Sequence, residues 1–139
     1  MRSTPPPSLG LVTINALVAA EWLLVPLPAD FLPLSALPLL ESTLEKLREG
    51  IPEARQAKIL GYVLSMYDRR ESVMREQVEG ILRDRYGPLV FNTAIRVNAN
   101  VKAAFASGQD VLSYENLKGR GSEDFLALAD EVIERTRST

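Results

Sequence analysis

The chain contains neither cysteine nor histidine. Without thiols there is no disulfide scaffold and no cysteine nucleophile. Without imidazole there is no Ser-His-Asp relay, and with both absent there is no zinc site of the Cys or His type. An excess of one charge is also lacking, since 16 basic and 18 acidic side chains leave −2 over 139 residues. That balance excludes a surface devoted wholly to nucleic acid but permits a local basic patch. No clean run of about 20 apolar residues exists, because Asn15, Glu21, Asp30 and several prolines interrupt the N-terminal apolar region, so no membrane span is expected. Arg2 followed by the apolar stretch Leu9 to Ala20 has the outline of an export signal. Pro5-Pro6-Pro7 and Asn15 break that outline, and a cytoplasmic protein is the expectation. The missing cysteines fit it, and fit export without disulfides equally well. No internal repeat is present.

What is present is ordinary for one globular domain: 46% hydrophobic and 24% charged residues. Leu9 to Ala20 predicts a short helix with Ser8 as its cap, apolar nearly all round and hence buried. Trp22 to Val25 and Ile59 to Leu64 are continuous apolar runs, the pattern of strands buried on both faces in a parallel sheet. Pro28 to Pro33 reads as a loop. Leu37, Leu40, Leu44 and Leu47 recur at helical spacing between Leu34 and Arg48, and Gly50 and Pro52 end that helix. Ser72 is expected to cap a helix with Val73, Val78, Ile81 and Leu82 on one face, ending at Gly87-Pro88. Val90 to Ile95 predicts a third strand and Val101 to Ala106 a brief helix. Ser122 to Arg137 predicts an amphipathic helix with Phe125, Leu126, Leu128, Ala129, Val132 and Ile133 as its apolar stripe. Alternating strands and helices predict an α/β fold, a short parallel sheet flanked by helices.

Several blocks, in order, resemble a known family. Pro6-Pro7-Ser8-Leu9-Gly10, Thr13 to Leu17, Ala19-Ala20-Glu21, Val25-Pro26, Met66 to Arg70, Ile95 to Asn98, Ala106 to Val111, Tyr114, Gly121 and Phe125 to Ala129 are similar to the ParA partition ATPases. The resemblance covers nearly the whole chain and corresponds to the C-terminal part of that family's doubly wound, P-loop-type domain. It implies one partial domain, 1–139, without the phosphate-binding half. The Gly-rich loop with Lys-Ser/Thr that cradles phosphate is absent from the 139 residues. Gly119-Arg120-Gly121 follows no predicted strand, and Thr4 stands where the family carries a magnesium-serving aspartate. No catalytic residue, metal site or cofactor is therefore expected for this chain alone, while the intact family uses ATP and magnesium. ATPase activity is expected only with the other half.

By the same resemblance, Arg69, Arg70, Arg96, Lys102, Lys118 and Arg120 are candidate contacts to non-specific DNA. The plainer alternative is a solvated turn in which Asp68 and Glu71 blunt the arginines. Ser65, Ile95, Arg96, Val97 and Asn98 correspond to the adenine side of a nucleotide site. The implied partners are DNA, a ParB-like adaptor, and either a second copy or an intact ParA-like chain paired through an unpaired sheet edge. The implied setting is the nucleoid. Two other readings remain open, a non-enzymatic module docking to an intact relative and an exported protein. Asp68 with Glu71 as an acid–base or metal pair is weaker than their reading as helix N-terminal acids. Glu21 is expected to be structural and Trp22 to lie in the core.

Overall fold

Apolar runs punctuated by amphipathic stretches fold into alternating strands and helices. The computed structural model describes residues 10–29, 36–53, 57–68, 70 and 72–137. The elements are α1 (Leu11–Ala19), β1 (Trp22–Pro28), α2 (Ala36–Gly50), β2 (Lys58–Tyr67), α3 (Ser72–Tyr86), β3 (Val90–Arg96), α4 (Ala99–Ala106), α5 (Val111–Tyr114) and α6 (Arg120–Arg137). A 3-10 turn, Gly87–Leu89, joins α3 to β3. The fold is α/β, with one three-stranded parallel sheet in the order β1-β2-β3. Parallel neighbours require a crossover, and α3 supplies it between β2 and β3. In that pair Tyr62 lies opposite Val90, Leu64 opposite Ala94 and Tyr67 opposite Arg96, with two irregularities of register. Met66 sits in the second irregularity with φ of 54°. An extra residue in left-handed conformation is how a strand end bulges and re-aims its side chains.

Two compact units make up the chain. The first comprises Met1–Leu23 with Pro33–Ile59. Within it Leu17, Leu37, Leu44 and Ala57 are buried. Arg48 Nη2 donates to the Ala57 carbonyl at 2.6 Å, and the Lys58 amide donates to the Glu21 carbonyl at 3.0 Å. The second unit comprises Leu24–Leu32 with Leu60–Thr139. Its core is Leu60 and Tyr62 to Leu64 on β2, Leu82 on α3, Val90 and Phe91 on β3, and Ala104 on α4. Tyr62 stacks on Tyr86 at 4.2 Å between ring centres. Gly61 is required by close approach, because a Cβ there would collide with the Leu89 carbonyl and the Phe91 ring.

Four expectations change. In α1 only Leu17 is buried, while Leu11, Val12 and Val18 are exposed. Gly10 holds the N-cap position, and Ser8 lies outside the described residues. β1 is half-buried from Trp22 to Val25 and fully buried only at Leu27, because it is an outer strand with one neighbour. The central strand β2 is buried on both faces from Leu60 to Leu64, and β3 only at its start, Val90 and Phe91. In α3 Leu82 is buried but Val73 and Ile81 are exposed. In α6 the buried residues are Gly121, Ser122 and Asp124, and every residue of the predicted apolar stripe is exposed or half-buried. Polar groups are buried there because each is hydrogen-bonded, as burial demands.

Candidate functional site

The carboxyl ends of parallel strands leave a crevice where open α/β sheets bind ligands. In this chain it is a cleft of about 680 Å³ within the second unit. Leu24 and Pro26 come from β1, and Val63, Ser65 and Met66 from β2. Ile95 and Arg96 end β3, and Val97 and Asn98 lead into α4, which adds Val101 and Lys102. Phe125 and Leu128 of α6 form a wall. All five residues assigned to an adenine side, Ser65, Ile95, Arg96, Val97 and Asn98, line this one cleft, and Lys102 lines it with them.

Local chemistry explains how each is held. Ser65 Oγ donates to the Leu27 carbonyl at 3.4 Å, and the Ser65 carbonyl accepts from the Ala29 amide at 2.9 Å, so β1 and β2 are tied at the cleft. Asn98 is the N-cap of α4, and its Oδ1 accepts from the Asn100 amide at 2.8 Å. An Asn cap satisfies a helix donor that would otherwise be orphaned. That cap places Lys102 one turn into the helix, exposed.

Arg96 is anchored rather than exposed. Its Nη2 lies 2.7 Å and its Nε 3.0 Å from the Asp124 carboxylate, which also accepts the Arg96 amide at 3.0 Å. Glu123 stands 3.5 Å away. The hydrogen bond that Arg96 donates to Asp124 raises the Arg96 pKa above its ordinary value, with burial opposing it and the carboxylate charges adding to it. The guanidinium charge is thus balanced in place, and Lys102 supplies the cationic character at the cleft rim. No carboxylate lines the cleft. Among the described residues no group of three or more metal-binding side chains exists. The lining suits an apolar body with a polar end.

The remaining predicted cations lie elsewhere. Arg70 is 89% exposed and pairs with Asp68, Nη2 to Oδ2 at 2.8 Å, while its amide also donates to Asp68. Those bonds hold the Asp68 carboxyl down at about 2. Arg69 and Glu71 lie outside the described residues, as do Thr4 and the opening proline run. Lys118 and Arg120 are exposed at the entry to α6. Neither they nor Arg70 lines the cleft. A shallower groove of about 500 Å³ on the last turns of α6 touches Asp130, Ile133, Glu134 and Arg137 and none of the predicted site residues. Glu21 is exposed and Trp22 half-buried.

Three residues that sequence reasoning passed over organise these elements. Glu115 accepts from Asn100 Nδ2 at 2.8 Å, from the Ser122 amide at 2.7 Å and from Ser122 Oγ at 2.9 Å. Those bonds, that from Asn100 foremost, lower its pKa. A Cβ at Gly119 would collide with the Glu115 carboxylate, so the Gly-x-Gly pair serves a side chain of the fold. Asp110 caps α5 by accepting from the Ser113 amide at 2.9 Å. Glu131 accepts the Asn92 amide at 2.9 Å and the Thr93 amide at 2.8 Å. The signals available for them were an Asp three residues before Ser113 and the glycines around Arg120.

Comparison with known proteins completes the site's context. No protein-family model matches the chain. It is 42% identical over 132 residues to the chromosome partitioning protein ParA of Caulobacter vibrioides, covering 95% of this chain and 48% of that protein. It is 35% identical over 132 residues to the chromosome-partitioning ATPase Soj of Thermus thermophilus, covering 95% of this chain and 51% of that one. With the ParA of Myxococcus xanthus it shares 32% over 130 residues, 94% of this chain and 44% of that protein. The chain spans about half the length of the curated relatives it matches, and the matched part is their C-terminal half.

Proposed function

The chain belongs to the ParA/Soj family of chromosome partitioning proteins, and from that premise we propose that it is the DNA-contacting C-terminal portion of a DNA-segregation protein. The observation that carries this reading is 42% identity sustained over 95% of the chain to a ParA. On this reading residues 1–139 form one partial ParA-like domain, and a ParB-like adaptor is its protein partner. ATP binding and hydrolysis belong to an assembly that also holds a phosphate-cradling half. Ser65, Ile95, Val97 and Asn98 then face the base of the nucleotide, and Arg96 holds their loop to α6. Arg70, Lys102, Lys118 and Arg120 contact phosphates on this reading; Arg69, also proposed for that role, lies outside the described residues. Their exposure supports that role, since sequence-independent DNA binding rests on cations meeting phosphates. The setting is the nucleoid. Among the described residues no helix is long and apolar enough to cross a membrane.

Fluorescence anisotropy with a random-sequence duplex at two salt concentrations tests the reading. Lys102→Glu and Lys118→Glu should each weaken binding, and truncating either to Ala should lower the salt slope by about one. Binding indifferent to salt and to these changes refutes the DNA contact. The half-buried outer strand β1 favours a second reading, a non-enzymatic module that docks to an intact relative. Such a module binds protein and ignores both charge reversals.

A further inference from the structure

Phe105 contributes little to the packing of the fold. It is 88% exposed, whereas Tyr114 is 39% and Phe125 37% exposed. Nor does it close a helix end. α4 stops through main-chain bonds, from the Ser107 amide to the Ala103 carbonyl at 3.0 Å and from the Gln109 amide to the Ala104 carbonyl at 2.9 Å, and Gly108 turns the chain at φ 70°. Ala104 is the buried residue of this helix, while Lys102, Phe105 and Ala106 are exposed. Residues three apart on a helix are neighbours, so Lys102 and Phe105 stand side by side. The residues adjoining the ring along the chain, Ala103, Ala106, Ser107 and Gly108, are small. No Asp or Glu occurs from Asn98 to Gln109. The carboxylate that reaches α4 is that of Glu115, which is bonded to Asn100 on another flank of the helix.

We propose that Phe105 stacks on an unpaired base, so that the chain holds DNA with free bases more tightly than intact duplex. This rests on the DNA contact proposed above and extends it: Lys102 meets a phosphate, and the ring beside it meets a base. A cation next to a projecting aromatic is the combination by which single strands are held, because every base offers a face to stack on. A protein partner covering the ring would need apolar surface around it, and its neighbours along α4 are a lysine and small side chains. Relative magnitudes decide which DNA is favoured. Prising open an intact base step costs at least as much as one ring returns by stacking. The ring therefore gains only where a base already lies free, and it leaves binding to paired duplex unchanged.

Fluorescence anisotropy with the full chain compares a fully paired random-sequence duplex with the same duplex carrying a gap of about five nucleotides in one strand. The gapped DNA has fewer phosphates, so phosphate contacts alone predict equal or weaker binding to it. The expected result is the reverse: the parent binds the gapped DNA at least about fivefold more tightly. Phe105→Ala and Phe105→Leu should each abolish that preference, and Phe105→Trp should keep it. Affinity for the paired duplex should stay within about twofold in all three variants, with the salt slope unchanged, since stacking releases no counterion. Phe105→Leu separates stacking from a merely apolar contact, and an exposed position makes all three changes compatible with the parent's circular dichroism. Equal affinity of the parent for both DNAs, or a preference that survives Phe105→Ala or Phe105→Leu, overturns the proposal. Salt-dependent binding to paired duplex without a preference for the gap sinks the stack and leaves the DNA reading standing. Binding to neither DNA sinks both.

Discussion

Replacing Asp124 by Ala is the sharpest perturbation of the site. Asp124 is 7% exposed. Its carboxylate takes the Arg96 amide and clasps the guanidinium at 2.7–3.1 Å. Removing it leaves a cation whose side chain is 15% exposed and a main-chain donor without its acceptor. Breaking a buried pair on one side costs about 3–5 kcal/mol. Glu123, 3.5 Å from Arg96 but 72% exposed, remains to compensate part of that charge. The expected loss is therefore about 2–4 kcal/mol. With a urea m-value of about 1.5 kcal/mol/M, the unfolding midpoint falls by about 1.3–2.7 M. Arg96→Met with Asp124→Leu removes both charges and should recover at least half of the loss, since an apolar pair of similar volume replaces a buried ion pair at little cost. An Asp124→Ala midpoint within about 0.3 M of the parent would refute the claim that this pair fastens β3 to α6.

Glu131 gives a pH signature. Burial pushes its carboxyl up, but hydrogen bonds from Asn92, Thr93 and Arg135 outweigh that and hold it below its ordinary 4.5. A lowered folded pKa means its stabilisation is complete above about 4.5 and disappears as pH falls through the folded value. Glu131→Gln should cost about 1–2 kcal/mol at pH 7 and flatten the decline of the urea midpoint below pH 4.5. An unaltered acid limb would count against the bonds described. Gly119→Ala should lower the thermal midpoint by displacing the Glu115 carboxylate, and the loss should shrink in a Glu115→Ala background; equal losses in both backgrounds would rule that contact out.

Element type was legible wherever period and punctuation agreed. The β2 run needed no context, because a central strand is apolar throughout, and the α2 stripe announced itself through Leu37 and Leu44. Burial was less legible. Trp22 to Val25 has the composition of a doubly covered strand, but coverage depends on neighbours that a local window does not contain. In α6 the stripe rule pointed to Phe125, Leu126 and Ile133. The buried positions are instead Ser122 and Asp124, whose worth lies in partners outside the helix, Glu115 just before it and Arg96 at the end of β3. The short α5 was missed because four residues carry no period, although Asp110 and Ser113 spell its cap. Gathering Ser65 with Ile95 to Asn98 needed the family resemblance, since parallel pairing across a crossover brings together residues about 30 apart in sequence.

The carboxylates of α6 have an effect on association. β3 is the other margin of the sheet. Glu131 and Asp124 take the amides of Asn92, Thr93 and Arg96, while Arg135 donates to the carbonyls of Pro88 and Val90. Side chains thus consume the main-chain valences through which a foreign strand would zip on, a common safeguard against runaway stacking. Any extension of this sheet is consequently one-sided. Two copies joined strand to strand must meet β1 to β1, an arrangement that closes on itself and cannot propagate into a fibre.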